Sequence, residues 1–343
     1  MERSTYSMRN CSIKTLILDC WSFTDGRRIP YYRYLPKEIK LGYIGPKSTL
    51  RMTKWGVHEY LRQYLLTFLH CGEYNVVISG SFVHGLGLCV FQMLGLKKST
   101  KHIIIDQASS RWGKRISIVF TALMNSANRI ICYTTTQKKW WNKQLSLKKA
   151  NFIPLVVDNS EITPSSIEKD YIFSAGRISR DYATLIEATK NIGTDVHIIA
   201  GRDTVTRKNN LEGLQLSDNI HVHYEVPYDQ YIKLLRECKL VVLPLKDVNY
   251  ACGQRVLLEA FAAGKPLIVT KTVATLDYVE NNTTGIFVKA NDHEELREKI
   301  LLLLQSEDMR RCLGENARKM VDVKFNLQEM GKNIYKIICD TNS

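Results

Sequence analysis

The chain has 343 residues, 45% of them hydrophobic and 24% charged, a balance that excludes a disordered chain and leaves room for two domains of ordinary size. No apolar run reaches the ~18 residues of a membrane span. The polar start MERSTYSMRNCS is not expected to be a secretory leader, and nine cysteines without a C-x-x-C pair read as reduced thiols rather than a disulfide framework or a zinc site. The net charge of +14 is uneven: residues 1–158 carry 24 Lys/Arg against 8 Asp/Glu, while residues 159–343 carry 24 against 26. A basic first half suits a membrane surface, a phosphate-bearing acceptor or nucleic acid, unless it is only a solvated face. No recognisable nucleic-acid motif accompanies it, so nucleic acid is not expected as a partner.

Lys14–Leu18 reads as a first strand, and residues 20–47, rich in Gly, Pro, Tyr and Arg, as loop. Trp55–His70 has helical spacing, with Val57, Leu61, Leu65 and Leu69 on one face. A strand at Asn75–Ser79 should run into a loop, Gly80 to Gly85, where His84 either contacts acceptor or donor or is structural. His102–Ile105 is a further strand. Asp106 at its end either orients an acceptor hydroxyl or caps the next helix. Arg129–Tyr133 is a strand and Thr134–Lys149 a polar helix, whose Trp140 and Trp141 beside five lysines suit a lipid headgroup contact or, for one of them, the core.

A boundary is expected near Asn151–Ser166, giving domains 1–158 and 159–343. The second domain opens with the strand Tyr171–Ala175, running into Gly176-Arg177-Ile178-Ser179-Arg180-Asp181. Glycine there lets the backbone approach a ligand, and Arg177 and Arg180 either clamp a diphosphate or lie exposed at a helix start. Strands Val196–Ala200, His221–Tyr224 and Leu240–Leu245 alternate with helices Tyr182–Asn191 and Asp229–Cys238, the pattern of a doubly wound parallel sheet. His221 and His223 share one strand face, but no third ligand is close in sequence and no metal is expected. A strand at Thr283–Val288 and helices Asp292–Leu304, Asp308–Val323 and Asn326–Asp340 follow.

The segment LVVLPLKDVNYACGQRVLLEAFAAGKPLIVT, Leu240 to Thr270, reads as strand, loop, helix, strand. The helix should start at Gly253-Gln254 and stop at Gly264, before Pro266. Its N-terminus stands at the carboxyl end of a strand, a natural phosphate site. Glu259 either accepts hydrogen bonds from a ribose attached to that phosphate or forms an exposed i, i+4 ion pair with Arg255.

This segment resembles the signature of the retaining glycosyltransferases of family 4, which have the GT-B fold. Their pattern is Glu, seven residues, Glu, Ala, a variable residue, Ala and small residues before Gly and Pro. Glu259-Ala260-Phe261-Ala262-Ala263-Gly264-Lys265-Pro266 matches its second half, while Ala251 stands where the first Glu falls. The resemblance implies two Rossmann-like doubly wound domains facing a cleft, acceptor on the first and donor on the second. It implies a retaining, metal-independent transfer from a nucleotide-sugar to an acceptor hydroxyl, with no further cofactor. Arg177, Arg180, Gly253 and Gln254 would hold the donor diphosphate and Glu259 the ribose, with His84 and Asp106 near the reacting groups. An anionic or lipid-linked glycan acceptor and a cytoplasmic site, at the inner face of the membrane through the basic half, complete the expectation. The absent first Glu leaves open a non-catalytic partner subunit, and the fold leaves open a nucleotide-sugar epimerase.

Overall fold

In a computed structural model of the protein the described residues are 12–18, 33–45, 57–106, 118–145, 149–202 and 209–342. Their strands form two six-stranded sheets in which every neighbouring pair is parallel. The first has the order β2-β1-β3-β4-β5-β6, with β1 Ile13–Leu18, β2 Ile39–Ile44, β3 Val76–Ser79, β4 Lys101–Asp106, β5 Arg129–Cys132 and β6 Ala150–Phe152. Runs such as VVIS and KHIIID are buried along almost their whole length, as parallel strands covered on both faces require. Helices α1 (Val57–His70), α2 (Phe82–Met93), α3 (Ile118–Ser126) and α4 (Thr135–Gln144) follow β2, β3, β4 and β5. Residues Cys89, Met124 and Trp141 from α2, α3 and α4 share a core with Ile104 and Ile130.

The second sheet has the order β12-β11-β10-β7-β8-β9, built from β7 Tyr171–Ala175, β8 Asp195–Ala200, β9 Ile220–Tyr224, β10 Leu240–Leu243, β11 Leu267–Thr270 and β12 Ile286–Val288. Alternate residues of one strand serve two cores. Tyr171 and Phe173 pack with α6 (Tyr228–Glu237), α7 (Gln254–Ala262) and α9 (Glu307–Lys324). Ile172 faces α5 (Tyr182–Thr189) and α8 (His293–Gln305). The last helix, α10 (Leu327–Asn342), returns to the first sheet, where Met330, Ile334 and Ile338 meet Ile78 and Ile103.

The strand order reverses at β1/β3 in one sheet and at β7/β10 in the other, and ligands of open parallel sheets lie at the carboxyl ends of strands at such points. The two units are joined beside these ends. Thr135 donates its N–H and its hydroxyl to Asp277, both at 2.7 Å, and the Tyr278 hydroxyl donates to the Tyr133 carbonyl at 2.7 Å.

Several expectations change. β2 lies inside what reads as loop, and α2, α3 and β6 were not anticipated. Gly80 and Gly85 suggest a loop, yet Gly85 lies in α2 and serves close packing: a side chain there would meet His102 at 3.0 Å, and one at Gly87 of the same helix the Tyr64 ring at 2.7 Å. The leucine face of α1 points to solvent, with Leu61, Leu65 and Leu69 60%, 59% and 57% exposed, while Gln63 and Thr67 are buried. Trp55 and residues 20–32 and 46–47 of the expected loop lie outside the described residues, as does the side chain of Val57.

Candidate active site

At the β7/β10 switch the chain leaves β7 through Gly176, whose φ of +123° favours a residue without Cβ. The Arg180 guanidinium occupies the space a Cβ there would need. Arg180 is 4% exposed, and it donates from Nε to the Ala175 carbonyl at 2.7 Å and from Nη1 to the Ile178 carbonyl at 2.8 Å. Among the described residues no carboxylate pairs with it. A buried cation without a counter-charge is costly, and a bound anion relieves that cost. Arg177 is exposed, with its Cδ against Gly201. The expected pair of equivalent clamping arginines is therefore divided, one side chain built into the turn and one reaching out.

The turn is stitched to the next loop. Ser179 adopts a φ of 55° and its hydroxyl bonds to that of Tyr250, the Lys246 N–H donates to the Ser179 carbonyl at 3.0 Å, and the Asp181 N–H donates to the Pro244 carbonyl at 3.1 Å. That loop ends at Gly253, left-handed with φ 86°, which begins α7, and Gly264 follows the helix with φ 66° as the sequence suggested. The first N–H bond back along α7 runs from Leu257 to Gly253 at 3.1 Å, so the N–H groups of Gln254, Arg255 and Val256 precede any intrahelical partner. Gln254 offers only its backbone, because its buried side chain donates to the Ala274 carbonyl at 2.8 Å.

Glu259 lies one and a half turns along α7. Its Oε2 accepts from the Tyr231 hydroxyl at 2.5 Å, and its Oε1 accepts from Arg255 Nε at 2.9 Å and from the Tyr228 hydroxyl at 3.5 Å. The i, i+4 ion pair thus forms, but it is not an exposed one: the Glu259 side chain is 4% accessible and that of Arg255 59%. Burial and the neighbouring Glu259 push the Tyr228 phenol up to about 12 and that of Tyr231 well above its ordinary value, so both remain hydrogen-bond donors at neutral pH. The sequence assigns no role to Tyr228, Tyr231 or Tyr250. For the first two, the i, i+3 spacing at a helix start is the available signal.

The first sheet offers a different lining. His84 is in the first turn of α2 rather than in a loop, with Nδ1 2.6 Å from the Ser81 hydroxyl and its ring beside Tyr60. Burial lowers its pKa to about 4, so it is neutral at physiological pH. Asp106 accepts from the Trp141 indole at 2.6 Å and both residues are buried, which places one of the paired tryptophans in the core. At the far edge of the second sheet His197 joins His221 and His223: its Nδ1 is 2.9 Å from His223 Nε2, and His221 lies 3.2 Å from Asp195. A third histidine thus stands beside the pair, brought by the parallel register of β8 and β9, where spacing along the chain suggested none. Among the described residues no group of three His, Cys, Asp or Glu is arranged to hold a metal ion, and no helix of the described residues is long and apolar enough to cross a membrane.

The chain is similar to known proteins. Residues 158–320 match the family model of the glycosyl transferases group 1. An uncharacterized glycosyltransferase of Methanocaldococcus jannaschii is 24% identical over 261 residues, 73% of this chain and 71% of that protein. The N,N'-diacetylbacillosaminyl-diphospho-undecaprenol alpha-1,3-N-acetylgalactosaminyltransferase of Campylobacter jejuni is 31% identical, but over 35% of this chain and 30% of its own length. The Anabaena protein HepE, solved in complex with UDP-glucose, superposes with a TM-score of 0.73 at 12% identity, covering 96% of this chain and 100% of that one. The likeness identifies the two sheets as the Rossmann-like halves of a GT-B fold.

Proposed function

We infer, from the premise that this chain is a group 1 glycosyltransferase, that it moves a sugar from a nucleotide-sugar to an acceptor hydroxyl with retention at the anomeric carbon. The observation that carries this reading is the buried Arg180, without a carboxylate partner among the described residues, in the turn stitched to the start of α7. Arg177, Arg180 and the first N–H groups of α7 form a cationic lining that suits a diphosphate. They would stabilise the charge that develops on the leaving nucleotide without a metal ion. Glu259 suits the ribose. Each of its oxygens already accepts from one or more donors yet keeps acceptor capacity for a hydroxyl, and the exposed Arg255 can swing aside. The acceptor would sit on the first domain near His84, where a neutral imidazole can bond a hydroxyl. Asp106 acts there by fixing Trp141. A lipid-linked glycan is the acceptor class we favour, since the similar Campylobacter protein bears a diphospho-undecaprenol substrate in its name and the first half of this chain is basic.

The test is a thermal-shift panel of UDP, GDP, ADP and TDP against the wild type and Glu259→Ala. A ligand bound only by the native state raises Tm by mass action, about 2.7 kcal/mol of stabilisation at a hundred times Kd. One nucleotide should stabilise the wild type and lose most of its effect in the variant. No shift with any of the four would overturn the assigned donor site, and sugar-nucleotide conversion without an acceptor would favour an epimerase instead.

A further inference from the structure

Arg255 stands where helix electrostatics disfavours it. It is the second residue of α7, whose first turn holds no acid, and the helix dipole already puts positive partial charge at that end. Its ion pair with Glu259 has the weaker order as well, with the cation N-terminal to the acid. Helical side chains lean back towards the N-terminus, so the ordinary direction for Arg255 is towards the helix start, where the N–H groups precede the first intrahelical bond. It reaches forward instead, and the carboxylate is what holds it there. Glu259 is buried, its Oε2 accepts from the Tyr231 hydroxyl at 2.5 Å, and Arg255 Nε donates to Oε1 at 2.9 Å with the guanidinium carbon 5.8 Å from the Tyr228 ring centre.

A buried carboxylate is tolerated beside a cation or under several hydrogen-bond donors, so ribose hydroxyls can stand in for the guanidinium at Oε1. Residues 255 and 259 are about 6 Å apart along the helix axis. One long side chain pivoting at Arg255 therefore covers both Oε1 and the helix start. The Arg255 side chain is 59% accessible and has room to pivot, whereas Arg180 is built into its turn by bonds to the Ala175 and Ile178 carbonyls. We propose that Arg255 exchanges partners when the donor binds, leaving Glu259 to the ribose and taking up the diphosphate at the start of α7. Each charged group keeps a partner through the exchange. The preference of the site for a diphosphate over a bare nucleoside then rests in part on the residue that guards the ribose acceptor. This deepens the proposed donor site and rests on it.

Isothermal titration of the wild type and Arg255→Met with uridine, adenosine, guanosine and their diphosphates tests it. The wild type should take one diphosphate far more tightly than its nucleoside. Arg255→Met should bind that nucleoside about tenfold more tightly, since the hydroxyls then supply Glu259 with what the guanidinium gave, and the diphosphate no more tightly than the wild type does. The diphosphate preference thus falls about tenfold or more, the size of one charge-assisted hydrogen bond. An arginine that only supports Glu259 would, once removed, weaken both ligands alike, and one that only blocks the ribose would tighten both alike. Either result, or an unchanged preference, overturns the exchange and leaves the donor site standing. Should Arg255→Met fold poorly, Arg255→Gln keeps an amide donor for Glu259 without the charge, and the same fall in preference is expected. If the wild type binds none of the diphosphates, the donor-site reading itself falls and takes the exchange with it.

Discussion

The two sheets meet their switch points with the same backbone and opposite chemistry. At β7/β10 a left-handed glycine, a buried arginine without a carboxylate partner among the described residues and the start of a nine-residue helix stand together. At β1/β3 and the neighbouring end of β4 the lining is a neutral buried histidine and an aspartate already held by an indole. Parallel topology supplies two crevices, and side-chain charge distinguishes the one whose lining suits an anion. The acid response should sharpen this contrast most. Burial lowers His84 to about 4 and His102, bonded to Ser79 at 2.8 Å, to about 3. A histidine whose folded pKa is depressed is neutral in the native state and charges on unfolding, so its contribution is whole above pH 6.5 and lost as pH falls below it. Between pH 7 and pH 5 each should cost about 2 kcal/mol. In the second domain His197 is also lowered, by burial and the neighbouring His223 and His221, and His223 by burial and His221, but both are half exposed and their loss should be smaller. Hydrogen exchange at pH 7 and pH 5 should show β3 and β4 losing protection well ahead of β7 and β10; equal loss in both sheets would break the contrast.

Next in size is the cationic side. Arg177→Ala should lower kcat/KM by about 10²- to 10³-fold, the usual loss when one donor to a developing charge is removed. Tm without nucleotide should hardly move, since the side chain is exposed and packs only its stem on Gly201. Unchanged turnover would remove Arg177 from the diphosphate site.

Much of the second domain was legible because its motifs coincide with backbone necessity. Gly264 before Pro266 ends α7 where the left-handed cap requires it, and the strand Tyr171–Ala175 has the bounds read from the sequence. In the first domain the same cues misled. The glycines of α2 are there for contact with Tyr64 and His102, so a helix looked like a loop. In α1 the 3.6-residue period is legible and the direction of the leucine face is not, because periodicity reports that leucines share a face and says nothing of what that face meets. At the candidate site, Glu259 and the two arginines followed from motif and resemblance. The tyrosines that hold Glu259, and the division of labour between Arg177 and Arg180, depend on packing that no spacing along one chain encodes.

Gly253→Ala tests whether backbone or side chain makes the second crevice. The φ of 86° would cost a residue with Cβ roughly 1–2 kcal/mol, and the new methyl would stand 3.2 Å from Leu245 Cδ1. A Tm lower by several degrees is expected, together with weaker nucleotide stabilisation as the first N–H groups of α7 turn away. Loss of Tm with the nucleotide shift intact would move the diphosphate off the helix start.

The smallest expected effect lies where the two crevices are held together. Asp277 accepts both the N–H and the hydroxyl of Thr135 at the beginning of α4, so its charge meets a helix N-terminus from the other domain. Asp277→Asn keeps one acceptor oxygen and removes the charge, which should cost about 0.5–1 kcal/mol of stability. Because the contact joins the units rather than building either, the loss should show in KM for the acceptor more than in nucleotide binding. If nucleotide stabilisation fell as much as acceptor KM rose, the contact would belong to the donor site itself, and the independence of the two crevices would fail with it.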